Sequence, residues 1–284
     1  METSFMRLLR IASFALASAM ILGCSKDITG TTSDVPALAF VRYVHAMPDT
    51  GEVDVHLMDA VENLNFADPS TGYIPYRTVS TYTGINAGAR HFRVFTNMQS
   101  TDINVVSQVI FDTTLTLAAN TYYTILHTGL ARAGATPHQH FVLITDTKPT
   151  VPANQVAIRA FVAATGVGPV DVYKTRDTVS ATALPSSPSF SSVAFGAPTT
   201  YATFAPDSLV LRVFNSGTTA PTLSKILAPV GAAQQPLLDP VAGTRVGGTA
   251  LTAFIFPAGV AGSPNKGVTA VSVVYGVDVR PPRQ

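Results

Sequence analysis

The sequence VRYVHAMPDTGEVDV at residues 41–55 returns in altered form as IRAFVAATGVGPVDV at residues 158–172. Both stretches carry arginine at the second position and end in Val-Asp-Val, with the same spacing and no gap. Ordered similarity over this distance predicts a duplicated domain, with a boundary at the proline-punctuated link of residues 148–152. Three further matches keep the same order along the chain: Tyr82 with Tyr201, residues 93–95 with 212–214, and residues 121–126 with 249–254.

The residue pattern of both halves is typical of β-structure. Short runs of Val, Thr, Tyr, Phe and Ile are bounded by Gly, Pro, Asn and Asp, as in β-strands joined by turns. No stretch after residue 36 has the 3.6-residue apolar period of an amphipathic helix. We therefore predict an all-β fold of two tandem antiparallel β-sandwiches, immunoglobulin-like or transthyretin-like, at residues 38–152 and 153–284.

Residues 1–23 have the features of an export signal. Two arginines precede an apolar run at residues 11–22, which is too short for a confident membrane span. The run ends in Ile-Leu-Gly before Cys24, and this resembles the lipobox of bacterial lipoproteins, where the signal is removed and the cysteine is acylated. We predict a signal peptide over residues 1–23, lipidation at Cys24 and a polar tether over residues 24–37.

The composition is that of a globular protein without a nucleic-acid-binding surface. Hydrophobic residues make up 46% and charged residues 12%, which argues against both disorder and a basic binding face. Without residues 1–23 the acidic and basic residues are equal in number, so no attraction to polyanions is expected. We expect the protein to lie in the cell envelope, attached to a membrane by lipid. The outer membrane is the expected one, and the protein would lie on its periplasmic or its surface face.

Histidine is the residue type with an uneven distribution, since all six histidines lie in the first half. Imidazoles can bind zinc or copper, but their spacing here fits no known metal motif. The sequence also lacks the short motifs of serine hydrolases, zinc proteases and phosphate-binding loops. We expect no enzymatic activity and no cofactor. The alternative is an enzyme or metal-binding protein that uses dispersed carboxylates together with histidines of the first half: His45, His56, His91, His127, His138 and His140.

The turn around Pro48 suggests a hairpin between the two strands that flank it. In that register Arg42 faces Asp54, and Arg159 faces Asp171 in the second half. We predict that both pairs lie on the outer surface, as ion pairs of small energetic value that fix the register of the strands.

His45 falls on the opposite face of the same predicted strand. The corresponding face of the second half is apolar, so we predict that it is the inner face of the sandwich. A neutral, hydrogen-bonded structural histidine is then expected at His45, in preference to a metal ligand.

These residues also carry a family resemblance. The stretch VHAMPD at residues 44–49, followed by VDV at residues 53–55, looks like the opening of the bacterial family called domain of unknown function 4397, DUF4397. FRVF at residues 92–95 and YYT at residues 122–124 resemble its later strands. The resemblance covers residues 38 to about 147, and the second half resembles a degenerate second copy. It implies extracytoplasmic sandwich domains and brings no activity or catalytic residues.

The function that these observations favour is non-catalytic. We expect a lipid-anchored envelope protein that presents β-sandwiches for surface structure or for binding an envelope protein or glycan. Loops usually carry function on such scaffolds, and the residues expected in a binding loop are Tyr73, Tyr76 and Arg77. A purely structural spacer is the remaining alternative.

Overall fold

The structure is a computed structural model that describes residues 36–59, 73–96, 108–176 and 183–283. The predicted signal peptide, Cys24 and all but the last two residues of the predicted tether lie outside this part of the chain. Among the described residues there is no helix long and apolar enough to cross a membrane.

Fifteen β-strands form the described part of the molecule. They are β1 Leu38–His45, β2 Val53–Leu57, β3 Thr83–Asn86, β4 Gly88–Thr96, β5 Val109–Leu117, β6 Tyr122–Thr128, β7 His140–Asp146, β8 Val156–Val162, β9 Val170–Arg176, β10 Phe190–Val193, β11 Ala202–Phe204, β12 Leu209–Asn215, β13 Ser224–Leu227, β14 Thr249–Phe256 and β15 Ser272–Val279. The prediction of an all-β fold with sandwich-like sheets is confirmed.

The first sandwich consists of two sheets with an apolar core between them. A four-stranded sheet has the order β3-β1-β6-β7, and a three-stranded sheet has the order β2-β4-β5. Val41 and Tyr43 from the first sheet share one buried cluster with Val55, Phe92 and Val94 from the second. Alternation along each strand places these side chains on the inner face.

The second sandwich has a similar strand order, with β10 as one additional edge strand. One sheet has the order β11-β8-β14-β15, and the other has the order β10-β9-β12-β13. In both halves the first strand pairs in parallel with a later strand, β1 with β6 and β8 with β14, whereas the other strand pairs are antiparallel. The predicted antiparallel sandwiches thus contain one parallel pair in the middle of the sheet with β1 and another in the middle of the sheet with β8.

A third apolar core lies between the two halves. The sheet that contains β1 and the sheet that contains β8 contact each other through their second faces, so that Val44, Leu126, Phe161 and Phe254 form one buried cluster. Strands β8 and β14 are buried along their whole length, as expected for strands covered on both faces. We call these two sheets the central sheets and the other two the outer sheets. Leu38–Gln284 form one compact unit.

The predicted hairpin around Pro48 is wrong. Strand β1 pairs with β3 and β6, whereas β2 pairs with β4 in the opposite sheet. The turn therefore carries the chain from one sheet to the other, and the same holds between β8 and β9. Alternation of apolar residues identifies the face of a strand but not its neighbour, so the same pattern fits both topologies.

Candidate functional site at the interface of the two sandwiches

Four charged side chains are buried where the central sheets meet. Arg42 and Arg159 come from β1 and β8, the first strands of the two halves. Asp146 ends β7, and Asp278 lies near the end of β15. No more than 6% of any of these side chains is exposed. Buried charges are tolerated in proteins only when they are paired, so the interface depends on how these four meet.

Within each half the arginine and the aspartate are linked through a threonine. Arg42 Nε donates to Thr124 Oγ1 at 2.8 Å, and that hydroxyl donates to Asp146 Oδ2. Thr124 stands opposite Arg42 in the parallel β1–β6 register. The second half repeats the arrangement, with distances of 2.7 Å for both bonds, in Arg159, Thr252 and Asp278.

Each arginine forms its closest ion pair with the aspartate of the other half. Arg42 Nη1 lies 2.9 Å from Asp278 Oδ1, and Arg159 Nη2 donates to Asp146 Oδ1 at 2.5 Å. Two longer contacts, Arg42 to Asp146 at 3.7 Å and Arg159 to Asp278 at 3.8 Å, complete the cluster. Each arginine thus neutralises the aspartate of the other half. We call these four residues the exchanged ion pairs.

Two tyrosines cover the exchanged ion pairs. The guanidinium carbon of Arg42 lies 4.7 Å from the ring centroid of Tyr82, and that of Arg159 lies 4.9 Å from the ring centroid of Tyr201. Tyr82 also donates its hydroxyl to Asp146 at 2.9 Å. Burial raises the pKa of both tyrosines, so the hydroxyls stay protonated and add no charge to the cluster.

The space between the two arginines of the exchanged ion pairs is dry. The small gap between Arg42, Arg159 and Phe254 has no room for a water molecule. Burial alone lowers the pKa of Arg159, but Asp278, Tyr201 and Asp146 together raise it above its usual value. A shift of one half against the other would leave charges without partners in this medium, which is strongly unfavourable. The exchanged pairs therefore fix the orientation of the two sandwiches.

The sequence-based interpretation of Arg42 and Arg159 was wrong in one respect. Both lie on the strand face opposite the inner core, as predicted, but the other half covers that face. Asp54 lies on β2, where it faces Phe95 of β4. The predicted ion pairs Arg42–Asp54 and Arg159–Asp171 do not form, because the members of each pair belong to different sheets.

Asp171 has a different role, which is to hold together neighbouring parts of the outer sheet of the second sandwich. Its carboxylate accepts hydrogen bonds from the backbone of Ser192 at 2.7 Å and of Gly217 at 2.8 Å. Burial raises the pKa of Asp171, but these bonds and one from the Ser216 hydroxyl lower it overall. The carboxylate therefore stays ionised and ties strand β10 and the turn after β12 to β9.

The predicted binding loop contributes to contacts within the chain. Tyr76 donates its hydroxyl to the carbonyl of Pro257 at 2.9 Å, and Arg77 donates to the carbonyls of Pro257 and Ala270. Both acceptors belong to the second half. The proposed role of Tyr73, Tyr76 and Arg77 in binding an external partner stays a prediction, and the structure places two of the three at the interface between the sandwiches.

His45 lies in the core of the first sandwich beside a second histidine. The parallel register sets His45 directly opposite His127, and the ring centroids are 6.4 Å apart. His45 Nδ1 donates to the carbonyl of Ile74 at 3.2 Å, while His127 Nδ1 and the Tyr43 hydroxyl share a bond of 2.7 Å. Burial lowers the pKa of His45 to about 4 and that of His127 well below its usual value. Both rings are neutral at physiological pH.

The other histidines do not join this pair in a site. His56 and His91 lie on strands β2 and β4, where His91 contacts the exposed carboxylate of Asp112. His140 Nδ1 bonds to the carbonyl of His138 at 2.8 Å. In the described ranges no three His, Cys, Asp or Glu side chains come close enough to hold a metal ion.

Part of the chain has a recognisable family match. Residues 39–173 match the family model of the domain of unknown function DUF4397. The match covers the first sandwich and continues through β8 into β9, further than the resemblance read from the sequence. No match was found among curated proteins. The DUF4397 match thus includes Arg42, Asp146 and Arg159, three of the four residues of the exchanged ion pairs, but ends before Asp278.

The partner aspartates were missed in the sequence because they are distant from the arginines along the chain. A signal was present, however: Val44 and Ala46 beside Arg42, and Phe161 beside Arg159, make both faces of these strands apolar. Apolar residues on both faces indicate a strand that is covered on both sides, and an arginine within such a strand needs a buried acid.

Loss of one charge from the exchanged ion pairs should strongly destabilise the whole unit. Arg42→Met leaves Asp278 buried without its 2.9 Å partner, and such a loss costs about 3–5 kcal/mol. The double variant Arg42→Met/Asp278→Leu removes both charges and should lose clearly less than the sum of the single variants. Urea unfolding measures each free energy of unfolding.

The matched control is the exposed pair Arg93–Asp112, at 2.7 Å. Arg93→Met should cause a clearly smaller loss than Arg42→Met, because water screens exposed pairs. Additive effects of Arg42→Met and Asp278→Leu would contradict the coupling that we infer.

The buried histidine pair should make the protein sensitive to acid. In the unfolded chain a histidine gains its proton near pH 6.5, whereas folded His45 resists protonation down to about pH 4. The contribution of the neutral histidines to the free energy of unfolding is therefore fully present above about pH 6.5. It falls toward pH 4, by up to about 1.4 kcal/mol per pH unit for each such histidine. His45→Gln should fall less steeply over this interval in unfolding titrations. Above pH 7 the two curves should run parallel, and equal slopes between pH 4 and 6.5 would refute the assignment.

Proposed function

We propose that this chain is a non-catalytic, lipid-anchored protein of the cell envelope that presents two β-sandwiches in one fixed arrangement for binding. The observation that carries the proposal is the dry cluster of exchanged ion pairs, in which each half neutralises the buried charge of the other. A flexible pair of domains does not need such a cluster. A binding surface built from both halves does, because preorganisation lowers the entropic cost of association.

The arrangement of titratable groups supports a binding role over a catalytic one. Catalytic acids and bases need access to a substrate, whereas His45 and His127 are fully buried. Asp146 and Asp278 are held by arginines within the interface. Arg93 and Asp112, which are accessible on an outer sheet, are paired with each other.

Attachment to a membrane rests on the sequence at Cys24. The apolar run, the Gly-Cys junction and the single cysteine favour removal of residues 1–23 and acylation of the thiol. The polar residues that follow, up to Ala37, favour a tether that separates the sandwiches from the lipid surface.

The membrane anchor can be tested with Cys24→Ser. This variant lacks the acylated thiol and should move from the membrane fraction to the soluble fraction, or accumulate with its signal uncleaved. Fractionation followed by mass spectrometry of the N-terminus measures both outcomes. Ser25→Ala keeps the thiol and should behave as the parent. Membrane association of Cys24→Ser equal to that of the parent would rule out the anchor.

The fixed arrangement can be tested at Gly276 of β15, which faces Thr252 of β14. A Cβ atom there would lie 2.7 Å from Arg42 Nη1 and 3.0 Å from side-chain atoms of Phe254 and Val79. Gly276→Ala should displace the guanidinium and weaken the retention of envelope polysaccharide or protein on the immobilised full chain, with the β-sheet circular dichroism preserved.

The control for this test is Gly168→Ala, since a Cβ at Gly168 has nothing within 4 Å. It should retain the same material as the parent. A parent chain that retains no envelope component would overturn the binding role and favour the spacer. Equal retention by Gly276→Ala and the parent would show that binding does not need the fixed arrangement.

A further inference from the structure

A cleft of about 320 Å³ lies between the two sandwiches. Its first wall comes from Phe40, Tyr82 and Tyr122 of the first sandwich, with Lys148 from the link between the halves. The opposite wall includes Arg280, which follows β15. This volume is at the lower end of the range for small-molecule sites, so the cleft has room for a compact ligand.

The cleft has an excess of positive charge. Lys148 and Arg280 form no ion pair with a carboxylate in the part of the chain that the structure describes. The acid in the described wall is Asp278, and it is engaged with Arg42 at 2.9 Å. Because the exchanged ion pairs already balance Asp278, the charges of Lys148 and Arg280 are available to a ligand.

The aromatic wall holds Lys148 in position. Its Nζ lies 3.5 Å from the ring centroid of Tyr122 and 5.0 Å from that of Tyr82, which is the geometry of a cation–π contact. Tyr122 stacks on Phe40 at 4.6 Å with an angle of 14° between the rings, and Tyr82 meets Tyr122 edge-on at 5.2 Å. The rings form a preorganised apolar surface beside the ammonium group.

We propose that this cleft binds a small carboxylate carried on a six-membered ring. The carboxylate contacts Lys148 and Arg280, and the ring packs against the edges of the aromatic wall formed by Phe40, Tyr82 and Tyr122. Arginine matches the two oxygens of a carboxylate, while lysine acts as a point charge. The proposal deepens the binding role proposed above and rests on it, since both walls keep their spacing only while the sandwiches stay in one arrangement.

Two sources can supply this chemistry, namely acidic sugars and aromatic acids. Titration calorimetry of the full mature chain with galacturonate and with benzoate separates them, and galactose and benzyl alcohol are the neutral controls. The acids should bind and the neutral compounds should not, with affinity that falls as salt is added. Binding of galacturonate alone identifies an acidic sugar as the ligand, and binding of benzoate alone identifies an aromatic acid.

The residues are tested with Lys148→Met and Arg280→Gln. Each removes one charge-assisted contact and should weaken binding of the acid by about tenfold or more. The matched control is Lys174→Met, because Lys174 lies 4.8 Å from the ring centroid of Phe204, outside the cleft. It should leave the affinity unchanged. Urea unfolding should show all three variants to be folded.

The proposal is overturned if neither acid binds, or if Lys148→Met and Arg280→Gln bind as the parent does. Retention of an envelope component by the immobilised chain, together with failure of both acids, would leave the binding role intact and remove this cleft as its site. If neither acid binds and the immobilised chain also retains no envelope component, the binding role itself is overturned.

Discussion

Two arginines and two aspartates without access to water determine how this molecule is assembled. Each sandwich brings one arginine and one aspartate to the central interface, and the closest contacts join Arg42 to Asp278 and Arg159 to Asp146 across it. Charge is balanced within each half, so hydrogen bonding through Thr124 and Thr252 can hold each group before the halves meet. Separation of the two halves would leave each of these charges without its ion-pair partner in an apolar medium.

The apolar core between the central sheets depends on this balance. Phe161, Phe254 and Phe256 are among its largest fully buried side chains. Apolar burial stabilises contacts without specifying their exact geometry. The ion pairs add that specificity, because they are satisfied in only one relative position of the sheets. The loop with Tyr76 and Arg77 adds a second point of attachment through the carbonyl of Pro257. The interface thus combines a non-directional core with directional polar contacts.

Alternation and turn residues in the sequence were sufficient to predict an all-β fold and the inner face that carries Val41, Tyr43 and His45. They were not sufficient to predict strand neighbours, since β1 and β6 are far apart in the chain and pair through contacts that no local pattern encodes. The partners of Arg42 could not be predicted for the same reason. Lys148, which the sequence placed in a linker, lies on Tyr122 because the link passes over the edge of the interface.

The parallel pairing of β1 with β6 and of β8 with β14 has a consequence for the speed of folding. Antiparallel hairpins close locally, but each of these central pairs joins two strands that are separated in the sequence by several strands, most of which belong to the opposite sheet. Loop-closure entropy opposes such contacts, so chains dominated by them fold slowly. Until the last strand brings Asp278 to Arg42, the exposed apolar faces of the central sheets are open to association with other unfolded chains.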